Sequence, residues 1–291
     1  MLKLNNPLDL NSRRRLIKNS IFVYFGHLMR QVLARIYHKK SIQCPKELSR
    51  FLRISWSEAF GMTLTSASVG RAQACVVTVD SLVPIQHPAG KKFQTACFEF
   101  RQQRMLKHPY LSEFHSRAEH FHAGLLEGDP SVLSYVPQPF ELRIGKRRYK
   151  PDCYIVQNGR RRVVELKPKG EMKVELVDPL RDFFALQGME FELISNESVL
   201  ERSTEALNWL EITRVLIRAE NIDSSAAERA VLECLATDVD TTLGDLIDSG
   251  DRERTFIHEV AVFRLLHRGL IHCDALVSCP LDFDVGFRLC T

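Results

Sequence analysis

With 291 residues, the chain is long enough to hold two domains and to bury a sizeable core. Its 45% apolar and 26% charged content is that of a soluble globular protein, and the apolar run at residues 21–25 is far too short to span a bilayer. The net charge of +4 hides an uneven distribution: residues 1–53 carry twelve Lys/Arg against two acids, whereas residues 220–254 carry ten acids against three Arg. A basic arm suits a polyanion and an acidic module suits a basic protein partner, unless each is simply a solvated face. Eight cysteines without a C-x-x-C pair indicate neither a zinc ribbon nor a disulfide framework. His267, His272, Cys273 and Cys279 fall near one another without zinc-ligand spacing. No secretory signal opens the sequence, so a cytoplasmic, reduced location is expected.

In chain order, residues 1–60 read as basic and helical. Arg13-Arg14-Arg15 precede Ile17, Ile21, Phe22, Phe25, Leu28 and Met29 at near-helical spacing, and Cys44-Pro45 interrupts the pattern. A β-prone run at 74–79, then Pro84, Pro88 and Gly90, reads as a connector or lead-in strand, which leaves 1–98 as a basic N-terminal region of unassigned fold. The next predicted helix starts near Ser116, stops at Gly128-Asp129-Pro130, and turns Ala118, Phe121, His122, Leu125 and Leu126 to one apolar face. Glu119 completes a capping-box pattern with Ser116, so it either closes its own helix or presents a carboxylate to the strands that follow. His115, His120 and His122 read as packing or helix-surface residues. Strands are predicted at 132–136 and 140–144 around Pro137-Gln138-Pro139, a helix at 179–186 ended by Gly188, and a strand at 190–194. The order is that of an α/β layer arrangement with a mixed sheet.

Between these elements lies the most informative stretch. Asn158-Gly159 separates two β-prone runs, the strongest short-range hairpin signal, and favours a two-residue type I′ loop. Counting outward from that loop places Gln157 against Arg160 and Asp152 against Glu165, at a Cβ separation of roughly 4.5–5.5 Å. Two carboxylates so close repel unless a proton or a cation lies between them. Lys167 shares their face, while Cys153, Ile155, Val164 and Leu166 form an apolar face suited to a core. Pro151 suits a strand start, where a missing N–H is tolerated. Two acids and a lysine on one face can hold a hard divalent ion and a polarised water, or can be an exposed face neutralised by neighbouring arginines.

Pro151-Asp152, a strand-length gap and then Glu165-Leu166-Lys167 resemble the signature of the PD-(D/E)xK nuclease superfamily. Residues 116–170 are similar to the TnsA family, the endonuclease subunit of heteromeric cut-and-paste transposases. The likeness rests on the Glu119 helix, Val132 through Gln138-Pro139, Arg148-Tyr149-x-Pro151-Asp152 and Val164-Glu165-Leu166-Lys167. It extends to the strand and helices up to Ile217 and not to residues 1–98. The resemblance implies a restriction-endonuclease-like mixed sheet flanked by helices over residues 99–218. It implies a Mg²⁺-dependent nuclease, with Mn²⁺ substituting, that cuts double-stranded DNA at transposon ends beside a DDE-type transposase subunit and an ATP-dependent regulator. In that scheme Asp152, Glu165 and a backbone carbonyl near Leu166 ligate the ion. Glu119 holds a second ion or a water, and Lys167 orients or deprotonates the attacking water. Arg147, Arg148, Arg160, Arg161 and Arg162 neutralise phosphates, or serve only solubility.

Residues 224–236, 241–248 and 255–268 read as three helices, followed by β-prone segments broken by Pro280 and Gly286. Over 219–291 this describes a winged helix, which the TnsA family also carries. Acids at Asp245, Asp248 and Asp251 argue for protein docking over major-groove recognition, or for a structural cap. Two other functions fit the sequence: a stand-alone nuclease of restriction, repair or defence, and a non-catalytic DNA-binding adaptor. Neighbouring reading frames for an integrase and an ATPase would separate the transposase subunit from the first of these.

Overall fold

The computed structural model describes residues 77–171, 174–238, 241–248 and 250–290, so the helices expected within residues 1–60 lie outside the described part. These residues form a mixed α/β structure with several sheets and eight helices. At its centre is a four-stranded sheet in the order β4 (Val132–Pro137), β7 (Cys153–Gln157), β8 (Arg160–Lys167), β9 (Glu190–Ser195). The first two pairings are antiparallel and β8–β9 is parallel, with helix α3 (Val174–Leu186) as the crossover. A parallel neighbour requires such a crossover, whereas β7 and β8 need only two residues between them. Asn158 at φ +48° and Gly159 at φ +76° supply the two positive angles of a type I′ loop. Gln157 pairs with Arg160 as the sequence requires, and the register runs without a slip to Cys153–Val164.

Both faces of the sheet are buried. Cys153, Ile155, Val164 and Leu166 face a core shared with Phe121 and Leu126 of α2 (Arg117–Gly128) and with Ala206 and Leu210 of α5 (Ser203–Arg218). On the opposite face Tyr154 and Val163 meet Leu180 and Phe184 of α3, along with Phe140 and Phe191. Fully burying each of these large apolar side chains is worth about 1.5–3 kcal/mol. α2 begins where expected: Ser116 accepts the Glu119 N–H at 3.2 Å. A short helix, α4 (Asn196–Glu201), joins β9 to α5.

A second, three-stranded sheet runs β1 (Val77–Val79), β5 (Leu142–Ile144), β6 (Arg147–Tyr149), all antiparallel. β1 pairs with β5, and Ile85 and His87 donate to the carbonyls of Pro139 and Gln138, which ties residues 77–87 to these strands. The intervening chain adds helix α1 (Lys91–Ala96) and a hairpin of β2 (Arg101–Arg104) with β3 (Leu111–Phe114).

The C-terminal part holds α6 (Ser225–Thr237), α7 (Leu243–Leu246) and α8 (Arg252–His267). They are followed by two-residue strands β10 (Ile271–His272) and β11 (Arg288–Leu289), paired antiparallel. The second helix is one turn, shorter than its predicted 241–248, because Thr242 and Asp245 form a capping box and Thr242 bridges to Gly286. Asp251 caps α8, which therefore starts at Arg252 and not at 255. The boundary expected at residue 218 is bridged by α5. Its Ala206 and Leu210 belong to the sheet's core, while Trp209, Ile212, Val215 and Leu216 pack with Val231, Val260, Phe263 and Phe287 of the C-terminal core. A buried carboxylate adds a second tie: Glu127 near the end of α2 accepts from Tyr135 Oη, from the Leu106 and Lys107 N–H groups and from His267 of α8, all at 3.0–3.1 Å.

Candidate active site

Where β7 and β8 open away from their loop, three acids and a lysine come together. Asp152 leaves the ladder one residue before β7: its N–H bonds the Val164 carbonyl at 3.0 Å, and its Oδ2 accepts the Leu166 N–H at 2.7 Å. The expectation of a direct Asp152–Glu165 cross-strand pair is therefore corrected. Pro151, with no N–H to give, ends the regular ladder, and Asp152 turns to the backbone of β8. Glu165 stays in β8, its side chain 2% exposed, and receives Tyr149 Oη at 2.5 Å and Lys167 Nζ at 2.7 Å. Lys167 also lies 3.9 Å from Asp152, and its side chain is 41% exposed. The lysine is thus the side through which solvent reaches the cluster.

Glu119 performs both roles that the sequence left open. It receives the Ser116 hydroxyl at 3.0 Å and the His115 N–H at 3.0 Å, so it closes the start of α2. The same carboxylate accepts Gln138 Nε2 at 2.6 Å and lines a small cavity together with Asp152, Cys153, His122 and Leu166. Gln138 and Tyr149 were not singled out as site residues by sequence reasoning. The signal for Gln138 was its place between two prolines, and the structure shows why it stands out. It is 2% exposed, its φ is +40°, and its N–H bonds the Asp152 carbonyl at 2.9 Å. A left-handed non-glycine residue costs on the order of 1–3 kcal/mol and persists only where its surroundings hold it.

Burial sets the electrostatics. Desolvation pushes Asp152 well above the usual carboxylate range, and the negative charges of Glu165 and Glu119 push it further. Glu119 is raised, chiefly by burial. Glu165 is raised by burial despite its bonds from Lys167 and Tyr149. For Lys167, burial alone would lower the pKa, but Asp152 and Glu165 overcome it and raise the value, so the ammonium keeps its proton at neutral pH. Tyr149 is raised by burial and by Glu165 and stays a donor. His122 is pushed down to about 4 by burial, so it is neutral at physiological pH.

The arginines are not gathered here. Arg147 and Arg148 lie in β6, next to Tyr149, and are exposed. Arg160, Arg161 and Arg162 sit by the hairpin loop, at the far end of β8 from Lys167, roughly 20 Å away at about 3.3 Å per residue. Arg161 donates to the Gln187 carbonyl at 2.9 Å, and Arg162 pairs with Glu192 at 3.0 Å.

No protein-family model matches the sequence, and no curated protein matches it. The chemistry of the cluster is what bears on function. Three carboxyl groups, all largely buried, lie around one ammonium, so the site is rich in oxygen acceptors. Carboxylate oxygens are the kind of ligand that hard divalent cations such as Mg²⁺ or Mn²⁺ prefer. Among the described residues no group of three or more His, Cys, Asp or Glu side chains is so placed that it could hold a metal ion.

Proposed function

We propose that the chain is a divalent-metal-dependent DNA endonuclease, the nuclease subunit of a cut-and-paste transposase acting beside a DDE-type subunit and an ATP-dependent regulator. The observation that carries this reading is the excess of buried carboxylate over ammonium at the mouth of the β7–β8 hairpin. The sheet order, with a helix before it and a helical crossover into a parallel fourth strand, supports a restriction-endonuclease-like core. Three C-terminal helices, the Thr242–Gly286 bridge and the β10–β11 pair support a winged-helix module. Among the described residues no helix is long and apolar enough to cross a membrane.

In this reading Asp152 and Glu165 would hold Mg²⁺, with a backbone carbonyl near Leu166 as a further ligand, and Glu119 would hold a second ion or a metal-bound water. When bound, the cation supplies Lewis acidity and charge neutralisation at the scissile phosphate. The chain's own groups do the rest. Tyr149 fixes one oxygen of Glu165, and the Leu166 N–H fixes one of Asp152. Lys167, open to solvent on one side, orients or helps deprotonate the attacking water and stabilises the charge that develops on the phosphate. Arg147 and Arg148 meet the backbone beside the site, whereas Arg161 and Arg162 by the hairpin loop are already engaged by the Gln187 carbonyl and Glu192.

The test is a strand-nicking assay with Mg²⁺ on DNA carrying the element's own ends, with and without the adjacent DDE subunit. Nicking at the ends that requires the partner is the expected result. Robust nicking by the chain alone points to a stand-alone nuclease, and DNA binding without nicking in any combination points to an adaptor.

A further inference from the structure

The three-stranded sheet β1–β5–β6 presents a pair of charges that nothing around it compensates. Its inner face, Val77, Val79, Leu142, Ile144 and Tyr149, packs on the core beside α3, so the alternate residues Thr78, Arg143 and Arg148 form an exposed outer row. Gly145, at φ +60°, and Lys146 close the β5–β6 hairpin as a two-residue loop, which leaves the register no room to slip. Arg143 therefore stands directly opposite Arg148, with the two Cβ atoms roughly 4.5–5.5 Å apart.

Like charges directly opposite one another in a sheet repel, and the neighbouring position is built the other way. Two residues along each strand, Glu141 receives Lys150 Nζ at 2.7 Å, and His87 lies 3.9 Å from the same carboxylate. Glu141 is thereby engaged, and Arg148 feels its charge without bonding to it. Among the described residues neither guanidinium of the Arg143–Arg148 pair has an ion-pair or hydrogen-bond partner, and Lys146 is exposed at the tip of the same hairpin. Two guanidinium forks side by side and open to solvent match the several oxygens of one phosphate. Arg148 also precedes Tyr149, which donates to Glu165 at 2.5 Å, so one peptide unit joins the pair to a group that touches the acid cluster.

We propose that Arg143 and Arg148 together form a phosphate-binding site, with Lys146 beside it, that holds one backbone phosphate of a nucleic-acid duplex. The site so assigned rests on the nuclease reading of the acid cluster and adds to it an arginine that sequence reasoning did not select. Arg143 joins Arg148 because the hairpin register, and not a run of basic residues, sets one against the other. A phosphate held between them relieves their repulsion. Such a contact carries affinity and salt dependence without base preference.

The experiment compares wild type, Arg143→Thr and Arg143→Lys as full chains. Binding to a dye-labelled DNA duplex is read by fluorescence anisotropy over a salt series, and melting temperature is read at fixed ionic strength with and without inorganic phosphate. Threonine suits a strand and removes the charge, so the slope of log affinity against log salt is expected to fall by about 0.9. Lysine keeps the charge and should keep the slope. An unchanged slope in Arg143→Thr overturns the site while leaving the nuclease reading in place. Flattening by Arg143→Lys as large as by Arg143→Thr means a deformed strand and overturns the site as well. If wild type binds no duplex, the nuclease reading and the backbone assignment fail together. Phosphate that then still raises the melting temperature of wild type, and not of Arg143→Thr, identifies a site for free phosphate. If Arg143→Thr does not fold, Arg143→Gln, which keeps the start of the aliphatic stem, replaces it in the same comparison.

Discussion

Asp152 is the residue on which most of the site's energetics turn. It is held by one backbone N–H, lies beside Lys167, and shares its surroundings with Glu165 and Glu119. Since burial and those two acids raise its folded-state pKa above the unfolded value, the folded protein binds the extra proton between the two values. Stability therefore falls as pH rises through that window. Asp152→Asn keeps an acceptor for the Leu166 N–H and removes the charge. Without divalent ions, the variant should melt about 2–4 °C above wild type at pH 7–8, the shift produced by relief of about 1 kcal/mol in a protein of this size. The difference should vanish as pH falls into the ordinary carboxylate range, and melting curves between pH 4 and 8 read it directly. A variant less stable than wild type at neutral pH would mean that Asp152 is a structural anchor.

Elements place these residues, and close helix packing holds the elements. Gly124 of α2 lies against α5: a Cβ there would stand 2.6 Å from the Ala206 carbonyl oxygen, which is backbone and cannot turn aside. Gly124→Ala should force α2 away from α5 and cost about 1–3 kcal/mol, measured by urea denaturation. Nicking should fall as well, because Glu119 rides on the same helix. What was legible in the sequence at this scale followed local rules. Asn158-Gly159 fixed the hairpin and its register, and Ser116 with Glu119 marked the helix start. What was not legible depended on contacts remote in sequence. Asp152 left the ladder for Leu166, and Gln138 took a left-handed conformation under the clamp of His87 and Asp152. α5 divided its side chains between two cores, which no composition break announces. The acids that suggested a docking face were partly consumed as caps, with Asp245 bonded to Thr242 and Asp251 to the Arg254 N–H.

For the molecule as a whole, the proposed nuclease would meet DNA as its placement of charge dictates. Arg147 and Arg148 are exposed beside the acids, whereas the loop arginines stand at the other end of β8 and two of them are already engaged. Phosphate contacts release counterions, so each one lost reduces the slope of log affinity against log salt by about 0.9. Arg147→Ala with Arg148→Ala should flatten that slope by about two contacts, and Arg161→Ala should change it little; fluorescence anisotropy over a salt series separates them. Equal effects would mean that the hairpin loop and β6 grip the duplex alike.

Whether the hairpin carboxylates perform metal-dependent strand cleavage is decided by single-turnover nicking of end-labelled duplex by Glu165→Gln. This would be done with the DDE subunit and Mg²⁺ present, and with DNA affinity and melting temperature measured on the same preparation. Loss of nicking by several orders of magnitude, with affinity and folding retained, is the expected result. Nicking at the wild-type rate by a folded Glu165→Gln protein would contradict such cleavage.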